Sequence, residues 1–148
     1  MKIIVVDDDA HVREMLSLVL GTRGRVFVAA EDGEQGLARF REHPDANVLI
    51  TDYEMPRMNG LSLIGEVRKN NQAVCIILLS AKMDCTLERR GKEIGANHCL
   101  DKKPDTVNVL RSLISQIEPE EVGAMRAGGG FRIRQKSIPL EQNTYESS

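Results

Sequence analysis

Four groups of polar residues follow short apolar runs, and their types are those of phosphoryl chemistry. Asp7 and Asp8 follow Ile3 to Val6, Asp52 follows Val48 to Thr51, Ser80 follows Val74 to Leu79, and Lys102 and Lys103 follow Cys99-Leu100. If these runs are strands of one open parallel sheet, all four groups meet at its carboxyl edge, where such sheets bind ligands. Three carboxylates brought together repel and raise one another's pKa values, a conflict that a hard, oxygen-coordinated cation relieves; Mg²⁺ is the natural choice. A hydroxyl and an ammonium on the opposite side then supply hydrogen bonds and charge for an oxyanion. Oxygen ligands, a nucleophilic carboxylate, a hydroxyl and a lysine together describe a phosphoryl acceptor site.

Taken singly, each group has an ordinary explanation. Asp7-Asp8-Asp9 suits a helix N-terminus with Asp9 as N-cap, because carboxylates are favourable there. Asp52 suits a turn. Ser80 and the lysines suit a loop and a surface. The inference rests on their coincidence at successive strand ends.

The elements that must position them are legible as alternating periods. Val26 to Ala30 completes a set of five short β-branched or apolar runs, and near-continuous apolar runs are strands covered on both faces. Between them, Val12, Met15, Leu16, Val19 and Leu20 recur at helical spacing, as do Leu61, Ile64 and Val67, then Val107, Leu110, Ile114 and Ile117. The second helix, about 34–42, offers Leu37 and Phe40, with Asp32 and Gln35 as its capping box. The fourth, about 84–94, has Leu87 and Ile94 among many charges and must be lightly buried. Strands alternating with helices make a parallel sheet with crossover helices. The pattern closes at Glu118, giving one domain over 1–118. Over 119–148, Gly128-Gly129-Gly130 and an alternating Phe131 to Lys136 are expected to be a flexible tail or linker. The other reading of this segment is an arm for dimerisation or a partner.

Composition excludes several classes. With 41% hydrophobic residues, 28% charged residues and a net charge of −2, the chain is globular and has no basic surplus for nucleic acid or an acidic membrane. The first apolar run is too short for a signal peptide or a span, so a cytoplasmic location is expected. Cys75, Cys85 and Cys99 form no metal-ligand spacing with His11, His43 or His98, and are expected to be reduced thiols.

The motifs identify a family. Val5-Val6-Asp7-Asp8 matches the acidic pair of response-regulator receiver domains; Asp52-Tyr53-Glu54-Met55-Pro56-Arg57-Met58-Asn59-Gly60 matches their phosphorylation loop, D-x-x-M-P-x-M-x-G. Leu79-Ser80-Ala81, Gly95-Ala96-Asn97 and Lys103-Pro104 match the hydroxyl segment, the turn before the fifth strand and the lysine–proline pair. The resemblance runs from residue 1 to about 117. It implies a doubly wound (βα)5, flavodoxin-like three-layer sandwich with five parallel strands in the order 2-1-3-4-5. It also implies a two-component signalling protein in which Asp52 takes a phosphoryl group from a histidine kinase or phosphotransfer protein. Asp8, Asp52 and the Glu54 backbone carbonyl would hold Mg²⁺, Asp7 acting chiefly through water, while Ser80 and Lys103 hold the phosphoryl oxygens. Such a domain is no enzyme beyond its own phosphotransfer and dephosphorylation. It would pass its signal to a protein target through the face near Asp84 to Ile94 and the last helix, and could form a homodimer.

Three departures from the family pattern bear on this. The family's step from the Gly-Ala turn to its lysine fits Lys102, but Pro104 permits the cis bond that aims the lysine and so selects Lys103. Cys99 or Leu100 stands where the family carries an aromatic switch residue on its fifth strand. Asp105, after the proline, replaces a common Phe and could cap the last helix.

Other classes fit less well. A flavodoxin-like nucleotide or flavin binder needs a phosphate-cradling first loop, and three aspartates exclude an anionic ligand. A haloacid-dehalogenase phosphatase would place its nucleophile in Asp7-x-Asp9 but needs a cap for which the chain lacks room. A receiver fold kept only for protein interaction would not require every pocket group to be present.

Overall fold

The computed structural model describes residues 1–118; the tail or linker expected over 119–148 lies outside the described residues. The elements alternate as β1 (Lys2–Val6), α1 (Ala10–Leu20), β2 (Val26–Ala30), α2 (Gly33–Glu42), β3 (Val48–Asp52), α3 (Gly60–Arg68), β4 (Cys75–Ser80), α4 (Cys85–Ile94), β5 (His98–Asp101) and α5 (Thr106–Ile117). The strands are parallel in the order β2-β1-β3-β4-β5, as the family resemblance implies.

Burial follows position in the sheet. All of β3, and all but the first residue of β1 and β4, are buried, whereas edge strands β2 and β5 are only partly covered. Alternation splits the central side chains between two cores. On one face Ile4, Val6, Leu49, Ile76 and Leu78 join Phe40, Leu63, Ile64, Val67 and Leu87 from α2, α3 and α4. Ile3, Val5, Ile50, Ile77 and Leu79 point the other way, where Leu16 and Leu20 of α1 and Leu110 and Ile114 of α5 are also buried. As the sparse apolar pattern predicts, α4 buries little: Leu87 and Gly91 are its buried residues, and Ile94 is 43% exposed.

Four helices begin at side-chain caps, each worth about 1 kcal/mol. Asp9 accepts from His11 N, Asp32 from Gln35 N, Asn59 from Ser62 N and Asp84 from Leu87 N. Gln35 Oε1 returns a bond to Glu31 N, one residue before the cap itself. At α5 the expected cap Asp105 is bypassed. Thr106 Oγ1 instead donates to the Asp101 carbonyl and accepts from Lys103 N, joining the helix to the end of β5.

Asp52 and Ser80 are the last residues of β3 and β4 rather than the first residues beyond them. The ladder continues past both, with Tyr53 N donating to Leu79 O and Lys102 N to Ser80 O, each at 2.8 Å. Both functional side chains are therefore held by sheet hydrogen bonds instead of a loop.

The return of the chain after Asp52 depends on Gly60. Its N–H donates to the Tyr53 carbonyl at 2.8 Å. A Cβ there would overlap the Asp52 carbonyl oxygen and lie 3.0 Å from Leu78 Cδ1, whereas one at Gly65 would make an ordinary 3.5 Å contact with Ile94. Gly60→Ala should therefore destabilise the domain by about 1–3 kcal/mol. Gly65→Ala, inside a helix, should be neutral or stabilise by up to about 1 kcal/mol. Urea unfolding of both variants tests this, and equal midpoints would contradict the packing described.

Candidate functional site

The carboxyl edge of the sheet gathers three aspartates. Asp7, the residue after β1, is 1% exposed; its Oδ1 accepts from Asp9 N at 2.9 Å and its carbonyl from Arg13 Nη1 at 2.7 Å. Asp52 is 7% exposed, and its Oδ1 accepts from Tyr53 N at 2.9 Å. Asp8 is exposed. One carboxylate oxygen from each of Asp7, Asp8 and Asp52 lies within 4.8 Å of the others.

A lysine completes the cluster, and it is Lys102. Its Nζ lies 2.8 Å from Asp7 Oδ2 and 3.3 Å from Asp52 Oδ2. Lys103 turns away, with its side chain 65% exposed and Nζ 3.7 Å from Asp101 Oδ2. The structure thus brings Lys102 to the carboxylates, and not Lys103, chosen for a cis bond before Pro104. Among the described residues no peptide bond is cis. Lys102 follows directly on the β4–β5 ladder, and successive side chains there alternate in direction, so only one of the two lysines can face the carboxylates.

The electrostatics are those of crowded negative charge. Burial, then the charge of Asp7, pushes the Asp52 carboxyl up to about 6, and Lys102 and the Tyr53 N–H offset only part of this. Burial works to lower the Lys102 pKa, but contact with Asp7 and the charges of Asp7 and Asp52 outweigh it and hold the ammonium above its ordinary value. Buried Asp7 Oδ2 is ion-paired with Lys102 Nζ but has no hydrogen-bond partner. An all-oxygen donor set with one buried oxygen unsatisfied fits a hard divalent cation.

Ser80, 5% exposed, sits one strand over, its Oγ accepting from Lys82 N at 3.1 Å. With Tyr53, Glu54, Lys82, Thr86 and Arg90 it lines a cleft of about 300 Å³. The Glu54 side chain is exposed on the opposite lip. A larger groove of about 640 Å³ between α3 and α4, floored by Leu61, Gly65 and Ile94, shares Arg90 with that cleft but is lined by none of the three aspartates, Ser80 or Lys102. Sequence reasoning missed Asp101, whose Oδ1 accepts from Met83 N at 2.8 Å and so holds the loop after Ser80. No spacing marks such a residue, because a side-chain bond to a backbone N–H eighteen positions away leaves no local pattern.

Comparison with known proteins gives a consistent picture. A family model for the "Response regulator receiver domain" matches residues 3–114. A Rhizobium etli protein named "Probable chemotaxis protein CheY" is 33% identical over 120 residues, covering 79% of this chain and 92% of that protein. The Synechococcus elongatus "Alkaline phosphatase synthesis transcriptional regulatory protein SphR" is 35% identical over 147 residues, 89% of this chain but 56% of that protein. The chain thus spans only about half of the transcriptional regulators it matches. Among solved structures, Vibrio cholerae chemotaxis protein CheY4 superposes with a TM-score of 0.71 at 28% identity, covering 79% of this chain and 98% of that one. Among the described residues no helix is long and apolar enough to cross a membrane.

The raised Asp52 pKa has a consequence for folding. Its folded value of about 6 lies above the ordinary 3.8, so the folded chain holds this proton more tightly. The metal-free domain should lose stability as pH rises from about 4 to about 6, and keep that deficit above it. Asp52→Asn should then stabilise the metal-free protein at neutral pH by about 1–2 kcal/mol, after discounting for solvent screening, with the gain vanishing below about pH 4. Urea unfolding in a chelator across this range measures it. A gain that does not depend on pH would contradict the charge crowding.

Proposed function

The chain belongs to the response regulator receiver domain family, and from that premise we propose that Asp52 accepts a phosphoryl group from the phosphohistidine of a sensor histidine kinase or phosphotransfer protein. The observation that supports this most is the gathering of Asp7, Asp8 and Asp52 within 4.8 Å, with the Lys102 ammonium against two of them. Mg²⁺ would be held by Asp8, Asp52 and the Glu54 backbone carbonyl, with Asp7 acting through water, and would neutralise charge on the phosphoryl oxygens.

The chain's own groups do the rest. An Asp52 carboxylate oxygen attacks phosphorus as the bond from phosphorus to the histidine nitrogen breaks and the imidazole leaves with the electron pair. With a pKa of about 6, Asp52 is mostly ionised at neutral pH and able to attack. Lys102 offers its ammonium to the incoming phosphoryl oxygens, and the Ser80 hydroxyl, released from Lys82 N, donates a hydrogen bond to another. The new charge draws Ser80 and its loop inward. The signal then leaves through α4 and α5 to a protein target. A cytoplasmic location fits the kinase partner, and this domain itself is not proposed to bind nucleic acid or membrane.

Acetyl phosphate with Mg²⁺ should add one phosphoryl mass to the chain, and neither Asp52→Asn nor a chelated sample should gain it. Lys102→Ala should slow the reaction by roughly 10²-fold, the usual effect of removing one oxyanion donor, while Lys103→Ala should leave it nearly unchanged. Intact-mass time courses measure both. Modification that persists in Asp52→Asn would overturn the assignment of Asp52, and an equal loss at Lys103 would overturn that of Lys102.

A further inference from the structure

The segment from Tyr53 to Asn59 leads away from Asp52 and must return to Gly60 at a fixed place, yet its middle is clasped from outside the site. Arg57 stands at φ 70°, the left-handed region, which is unfavourable for a non-glycine residue. Arg57 Nε donates to Asp32 Oδ2 at 3.0 Å, and the Asp32 side chain is only 5% exposed. The other oxygen, Oδ1, caps α2 through Gln35 N at 2.8 Å. The next residue, Gly33, lets the loop press directly on the turn before α2: a Cβ there would overlap the Met58 carbonyl and lie 2.6 Å from Met58 Cβ. The Gln35 N–H, then the Arg57 guanidinium, hold the Asp32 carboxyl below the usual carboxylate range despite burial.

A charge-assisted bond to a buried, preorganised acceptor is the kind that fixes a conformation. We infer that Asp32 and Arg57 form a latch that fixes the loop from Tyr53 to Asn59 against the start of α2, and so positions the groups beside Asp52 for Mg²⁺ and the phosphoryl donor. This rests on the phosphoacceptor function proposed above. Asp32 and Arg57 are positioning residues.

Two substitutions separate the latch from its other roles. Asp32→Asn keeps an oxygen for the α2 cap, since Asn caps as well as Asp, but removes the charge that holds Arg57. Arg57→Gly removes the arm while relieving the left-handed strain. Neither should lower the urea midpoint appreciably. In the metal-free protein, both should speed amide exchange selectively over 53–60. Mg²⁺ affinity by calorimetry should fall about fivefold in each, and the double variant should be no weaker than either single one, because coupled residues lose one shared interaction.

Wild-type Mg²⁺ affinity in both variants, losses that add in the double variant, or faster exchange spread evenly over the domain would overturn the latch. These outcomes leave the phosphoacceptor function standing so long as the wild type binds Mg²⁺ and is phosphorylated. A wild type that does neither would overturn both.

Discussion

The structure depends on one electrostatic constraint, the repulsion among Asp7, Asp8 and Asp52 at the end of the sheet. Two carboxylates a few ångströms apart cost on the order of a few kcal/mol where the effective dielectric is near 20. That is a sizeable share of the roughly 5–15 kcal/mol that stabilises a domain. The chain tolerates it because Asp52 ends the buried strand β3 and Asp7 directly follows its buried neighbour β1, and the ladder between them holds the two together. Apolar packing on both faces of β1, β3 and β4 is therefore what keeps the charge concentrated. Lys102 relieves part of the strain, but it leaves the Asp52 carboxyl raised and Asp7 Oδ2 without a hydrogen bond. The same feature that weakens the metal-free fold makes the site receptive to a divalent cation.

Most of this was legible in the sequence because the relevant signals are local. Strand and helix periods placed every element, and each central strand points its final polar residue to the same edge. The caps Asp9 and Asp32 were readable for the same reason, as each lies within a few residues of the N–H it satisfies. The lysine was harder. Spacing from Ala96 pointed to Lys102 and the lysine–proline pair to Lys103, and only the register of β5 on β4 resolves them, with Ser80 opposite Asp101. Register belongs to strand pairing, and a slip of one residue would exchange the two side chains. The contacts of Arg57 with Asp32 and of Asp101 with Met83 were invisible because each joins positions far apart in the chain.

Those long-range contacts also constrain how a change at Asp52 could travel under the proposed function. At the switch position of the family pattern this chain offers Cys99 or Leu100, and the Cys99 Sγ is 3.7 Å from the Glu88 carbonyl. A Cβ at Gly91 would lie only 2.9 Å from that sulfur, so α4 is seated on β5 through a glycine and a thiol. Neither Cys99 nor Leu100 offers an aromatic ring to swing into space that Ser80 leaves. The remaining mechanical link is the loop between Ser80 and Asp84, held at one end by Lys82 N on Ser80 Oγ and in its middle by Met83 N on Asp101 Oδ1. Drawing Ser80 toward a phosphoryl group breaks the first bond and pulls against the second. Because Asp101 also receives the Thr106 hydroxyl on its carbonyl, the same pull reaches the first turn of α5. A lightly buried α4 can follow such a movement at small energetic cost, whereas a helix with a full apolar stripe could not.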